Sequence, residues 1–257
     1  MNDSWVDAYL ARIGAERPAR ADDEALRELH LRHLLTVPFE NLGIHLGEDL
    51  VLDADALVAK VVDRHRGGFC YELNGAFATL LTALGFEVDL LAARTVGDDG
   101  PGIPYDHLAL RVGPWLADVG FGSHTHYPLR LDERGDQDDP GGVFRVAETP
   151  DGDIEVGKDG KPVYRLETRP QALRDFRAGC WWHRTSPESH FTRSLVCSML
   201  TGFGRITLSG RTLIRTADGE RDERELGGDD EVLDAYRTWF GVDLDRVPEI
   251  GSRAATA

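Results

Sequence analysis

Apolar residues recur along the first third of the chain at the spacing of a helix face. Trp5, Tyr9, Leu10 and Ile13 fall on one side of a segment that Ser4 can cap and Gly14 can end. Leu26, Leu29, His33 and Leu34 do the same from about residue 23, until Pro38 disrupts the pattern. A third helix, from residue 53, would bury Leu57, Val58, Val61 and Val62, and Gly67-Gly68 breaks the chain after it. Cys70 opens a fourth, which presents Phe77, Leu80, Leu81 and Leu84 and stops at Gly85. From Phe86 the period shortens to two. Residues 86–94, 107–112, 115–119, 143–148, 154–156 and 163–167 are short apolar or alternating runs between turns, the pattern of a small antiparallel sheet or barrel. The last third mixes types. It predicts a short helix at 171–177, an apolar helical run around Cys197 and a hairpin of 204–208 with 211–216, then a closing helix over 229–240 ended by Gly241. Residues 132–139 read as a solvated surface loop and 251–257 as a frayed end.

Composition narrows the classes of function. The 257 residues hold 29 basic against 45 acidic side chains, a formal net charge of -16 with no basic stripe, which argues against a nucleic-acid partner. No apolar run approaches the roughly 18 residues of a membrane span, and the acidic N-terminus lacks a signal-peptide core. Three cysteines, Cys70, Cys180 and Cys197, are too few and odd in number for a secreted disulfide scaffold, so a reducing cytoplasm is expected.

The segment RGGFCYELNGAF (66–77) carries the sharpest chemistry. A helix N-terminus favours negative charge, so it suits a thiolate at Cys70 and an oxyanion formed when that thiolate attacks a carbonyl. The two glycines would allow close approach of a substrate and unusual dihedrals. A reactive thiolate needs an imidazole, and the imidazole needs an acceptor. His107 begins the strand HLALRV, and Asp118 ends the next, WLAD, before a Gly-Phe-Gly turn; antiparallel pairing across Gly113-Pro114 could set the two side by side. Asp106 alternates to the other face of the strand and ranks well below Asp118. Cys180 and Cys197 read as packing residues.

Together, RGGFCYELNGAF, VPFENLGIHLG (37–47), LADVGFG (116–122) and SPESHFTRSL (186–195) resemble the arylamine N-acetyltransferases, in the family's order and across residues 9–247. The resemblance implies an α+β, cysteine-proteinase-like fold: an N-terminal helical bundle (1–85), a central antiparallel β-barrel (86–180) and a C-terminal α/β lid (181–257). It implies Cys70, His107 and Asp118 as the catalytic triad. Phe39, Val96, Phe121 and Phe191 would line the acceptor pocket, where flat apolar walls suit an aromatic amine and exclude water. Glu40, Arg66 and Asn74 would support the site. The implied reaction takes an acetyl group from acetyl-CoA, a co-substrate rather than a bound cofactor, to an arylamine or hydrazine in a ping-pong sequence through acyl-cysteine. Only ten residues lie between His107 and Asp118, fewer than is usual in the family.

Other readings stand beside this one. Shortened loops would also suit an amide synthase of the same family that moves a polyketide acyl chain from an acyl carrier protein to an aromatic amine. A cysteine hydrolase would share the core, but a Cys-Gly-Ser-Cys-Trp run is missing and the Cys–His separation is too short. A non-catalytic binding domain could keep the fold. His124, His126, His183 and His190 lack the HExxH or CxxC context of a metal site, so no metal is expected.

Overall fold

The computed structural model describes residues 4–97, 100–217 and 219–251; residues 1–3 and 252–257, which carry part of what was expected of the two ends, lie outside the described residues. Helices α1 (Ser4–Ile13) and α2 (Asp23–Thr36) lead into a two-residue strand β1 (Phe39–Glu40) and a short helix α3 (Leu42–Leu46). Helices α4 (Ala54–Val62) and α5 (Cys70–Ala83) follow. Carboxylates fix two of the starts: Asp22 accepts from the Ala25 amide at 3.0 Å and Asp53 from the Asp55 amide at 3.1 Å. The apolar stripes of α1, α2, α4 and α5 meet in one core that includes Tyr9, Leu29, Val61 and Phe77.

Among the described residues nine strands come next: β2 (Val88–Gly97), β3 (Gly100–Pro101), β4 (His107–Val112), β5 (Trp115–Ala117), β6 (Leu129–Arg130), β7 (Asp136–Asp139), β8 (Gly142–Glu148), β9 (Ile154–Lys158) and β10 (Lys161–Gln171). Their order is β6-β5-β4-β2-β10-β9-β8-β7, with β3 beside β2, and the pairings are antiparallel. The sheet curls into a nearly closed barrel around Phe144, Val146, Val156, Tyr164 and Leu166. Its two end strands meet through one side chain. Gln137 accepts from the Arg130 amide at 2.7 Å and donates to the Arg130 carbonyl at 2.9 Å, standing in for two ladder bonds.

After a 3₁₀ turn (Leu173–Phe176), helices α6 (Arg177–Thr185) and α7 (His190–Arg193) precede β11 (Val196–Thr201), β12 (Gly204–Ser209), β13 (Thr212–Ala217) and β14 (Glu220–Glu225), and α8 (Asp229–Phe240) follows. These strands form a second sheet, β1-β11-β12-β13-β14, so the N-terminal third supplies its first strand. Tyr236 and Phe240 of α8 pack on Cys197, Ile206 and Leu208. The molecule is thus helices, then an antiparallel barrel, then an α/β lid.

Several local expectations fail. Cys197 lies in β11, not in a helix; it pairs with Glu40 of β1 on one side and Leu208 of β12 on the other. Residues 136–139 are a strand closing the barrel, not part of a solvated loop. The helix expected at 171–177 is met only in part: β10 runs on to Gln171, residues 173–176 form the 3₁₀ turn, and the α-helix starts at Arg177. Pro162 and Pro170, both within β10, sit at its two register irregularities, where proline is tolerated in a strand.

Candidate active site

The start of α5 is fixed by side chains beneath it. Glu72 accepts from the Phe69 amide at 3.2 Å, satisfying a donor at the helix start. Gly67 and Gly68 do not adopt left-handed backbone. Their role is to admit the chain itself rather than a substrate: a Cβ on Gly67 would stand 1.7 Å from the Pro38 carbonyl oxygen, and one on Gly68 2.5 Å from Glu72. Lys60 meets Glu72 at 2.5 Å and Glu40 at 3.9 Å, and Arg66 pairs with Glu40 at 2.9 Å and Glu48 at 2.8 Å. Burial alone would drive the Glu40 carboxyl up, but the Lys60 and Arg66 cations outweigh it and hold it below its usual range.

Cys70, His107 and Asp118 come together above that base. Register sets His107 opposite Ala93, and β4–β5 pairing aligns Leu110 with Ala117, which carries Asp118 back beside the first turns of β4. The His107 ring donates from Nε2 to Asp118 Oδ2 at 2.7 Å. The other nitrogen is left for Cys70, whose thiol is among the groups that raise the His107 pKa. Cys70, His107 and Asp118 are all buried, and Cys70 Sγ lies 4.0 Å from the Asp106 carbonyl oxygen. Asp118 also accepts from Asn74 Nδ2 at 2.9 Å and the Gly120 amide at 3.0 Å. Asn74 is itself locked, donating to the Leu108 carbonyl at 2.6 Å and accepting from the Val119 amide at 3.0 Å.

The electrostatics follow from this packing. Burial pushes the His107 pKa down, but the Asp118 charge, its hydrogen bond and the Cys70 contact together outweigh it and raise the group to about 10. Burial pushes Asp118 up, but the His107 cation and its hydrogen bond bring it down to about 2. The ring is therefore an imidazolium at neutral pH, the partner a thiolate needs.

Cys70 and His107 open on a cavity of about 660 Å³ whose aromatic walls include Phe39, Phe121, Phe191 and Trp182. Three of the four residues expected to line it do so. Val96 does not: it pairs with Pro101, and alternation along β2 turns Thr95 to the cavity instead, while Pro101 and Ile103 supply that loop's apolar surface. Asp106 does not compete for His107. It is held by Thr95 and by His183 of α6, whose Nε2 lies 3.0 Å from Oδ1. Sequence reading missed His30, Tyr164 and His183, because each reaches the site from a distant element with no local motif. His124, passed over as a metal ligand, is a buried ring whose Nε2 lies 3.1 Å from the Tyr164 hydroxyl. Among the described residues no cluster could hold a metal ion and no helix is long and apolar enough to cross a membrane.

Comparison with known proteins matches residues 22–249 to the N-acetyltransferase family model. The arylamine N-acetyltransferase of Mycolicibacterium smegmatis is 36% identical, covering 93% of this chain and 92% of the relative. That of Escherichia coli K12 is 33% identical, over 93% and 89%. The solved Mycobacterium marinum arylamine N-acetyltransferase in complex with CoA superposes with a TM-score of 0.84 at 32% identity, covering 92% of each chain.

Proposed function

Because the chain belongs to the arylamine N-acetyltransferase family, we propose that it carries an acetyl group from acetyl-CoA to an arylamine or hydrazine in two stages through acyl-Cys70. The observation that carries the reading is His107, hydrogen-bonded to Asp118, lining one aromatic-walled cavity together with Cys70. The M. marinum relative solved with CoA supports acetyl-CoA as the donor co-substrate. No resident cofactor enters the reaction, and a carrier-protein donor finds no support in the matched relatives.

In the first stage the Cys70 thiolate attacks the thioester carbonyl. The first-turn N–H groups of α5 receive the oxyanion, and CoA leaves as a thiol with the proton from His107. Thioester replaces thioester, so little free energy is lost and the acyl group stays reactive. His107 is now neutral, with its Nε2–H held on Asp118 and Nδ1 free to act as a base. In the second stage the amine attacks the acyl carbonyl, gives its proton to Nδ1, and Cys70 departs as a thiolate. Phe39, Phe121 and Phe191 would hold the acceptor ring, and Asn74, Glu40 and Arg66 would hold the triad's supports. Mass spectrometry after exposure to acetyl-CoA alone tests this: an acetyl adduct on Cys70 is expected, and none after Cys70→Ser. An unmodified Cys70 in an enzyme that still acetylates amines would refute it.

A further inference from the structure

Asp118 is held by its backbone as well as its carboxylate. Its N–H donates to Nε2 of His30, on α2, at 3.1 Å. On the other side of that ring, Nδ1 lies 3.0 Å from the His126 carbonyl oxygen. An amide N–H can be accepted only by an unprotonated ring nitrogen, and a carbonyl can be met only by an N–H. The two bonds therefore fix one state, a neutral imidazole with its proton on Nδ1. The surroundings favour that state. His30 is fully buried beside the edge of Phe77, which also packs against another buried ring, His33. Burial brings His30 down to about 4 against the opposing pull of the His126 carbonyl, Asp118 and Asp139.

The two bonds bracket the segment that matters most. Residues 118 and 126 are its ends; between them lie Gly120, against the Cys70 backbone, and Phe121, a wall of the cavity. We infer that His30 is a positioning residue for the triad: as a neutral Nδ1–H imidazole it clamps both ends of this segment to α2 and so aims the Asp118 carboxylate at His107. A cation at His30 would instead compete with His107 for the same carboxylate. The inference rests on the proposed roles of Cys70, His107 and Asp118, and its test separates the two.

Imidazole ¹⁵N NMR at neutral pH should show His30 protonated at Nδ1 and bare at Nε2; the opposite tautomer, or an imidazolium, overturns the assignment. Kinetically, His30→Gln keeps a donor and an acceptor, whereas His30→Met fills the space with neither. Pre-steady-state acetylation of Cys70 should stay within about threefold of wild type for Gln. It should fall at least about tenfold for Met, with KM for acetyl-CoA little changed. Equal rates for the two variants, fast or slow, overturn the clamp. If Met does not fold, a folded Gln variant below about a tenth of wild-type rate does so. A wild-type protein that forms no Cys70 adduct overturns the triad reading instead, while the NMR result still decides the state of His30.

Discussion

Gly120 lies flat against the first turn of α5, and giving it a methyl group tests how tightly the triad is assembled. In Gly120→Ala the new Cβ would stand 2.7 Å from Cys70 Cα, 2.7 Å from Asn74 Nδ2 and 3.0 Å from the Cys70 carbonyl oxygen. Ordinary carbon–carbon contact is about 3.5–4.0 Å, so the segment after Asp118 and the start of α5 must separate by about 0.8 Å. No obstructing atom is free to swing aside. Two belong to the Cys70 backbone, and Asn74 is held at both ends of its amide. Overpacking of this kind costs about 1–3 kcal/mol. For a chain of this size that is a fall in Tm of about 2–12 °C, with the protein still folded. The reaction should suffer more, because a misplacement near 1 Å costs about a hundredfold. First-turnover release of CoA thiol with a thiol-reactive dye reads the rate, and a thermal melt reads the fold. Gly202→Ala, with no atom within 4 Å of its new Cβ, is the control and should change neither. A Gly120→Ala enzyme that is destabilised yet acetylates at the wild-type rate would show that chemistry does not depend on this contact.

Stability should peak near pH 6.5. His30, His33 and His124 have folded values of about 4, 3 and 4, below the ordinary 6.5, chiefly through burial. The unfolded chain therefore binds more protons between those values and 6.5, and Tm should fall as pH drops through that window. His107 has the opposite sign. Raised to about 10, it contributes stability that is complete below 6.5 and lost as pH climbs toward 10, so Tm should fall there too. A melt series that rises steadily from pH 6.5 to 10 contradicts the imidazolium. Lys60→Met strands Glu72 and Glu40 without their shared cation and should cost about 3–5 kcal/mol in urea unfolding, part of which Glu72→Gln restores. Gln137→Ala opens the barrel seam, and faster amide hydrogen exchange should appear in β6 and β7 before the rest of the sheet; uniform exchange would place the seam's support elsewhere.

The early helices were legible because their apolar stripes are long and bounded by Asp caps and Gly or Pro stops. The barrel strands that carry His107 were legible because one face alternates into the interior. Elements without such a signal were not. β14 reads ERDERE and is exposed along its whole length; ladder bonds to β13 hold it, and no apolar pattern announces it. β1 is too short for any period. β11, buried at successive positions between β1 and β12, presents an apolar run that periodicity cannot tell from a helix. The proposed triad could be read because Cys70, His107 and Asp118 each stand at an element boundary within a motif. His30 lies mid-helix, 88 positions from Asp118, and only tertiary packing reveals what its ring accepts.

The short strand β1 ties the order of synthesis to the completion of the aromatic-walled cavity. Phe39 pairs with Ser198, a residue the ribosome adds 159 positions later (198 − 39), while its other neighbour, Gly68, is made early. A nascent chain can therefore assemble helices and barrel, with cysteine, imidazole and carboxylate all in hand, and still lack the partner that seats one aromatic wall. A chain cut before Val196 would lose that wall along with the lid, and acetyl transfer to an aromatic amine should begin only after β11 has emerged.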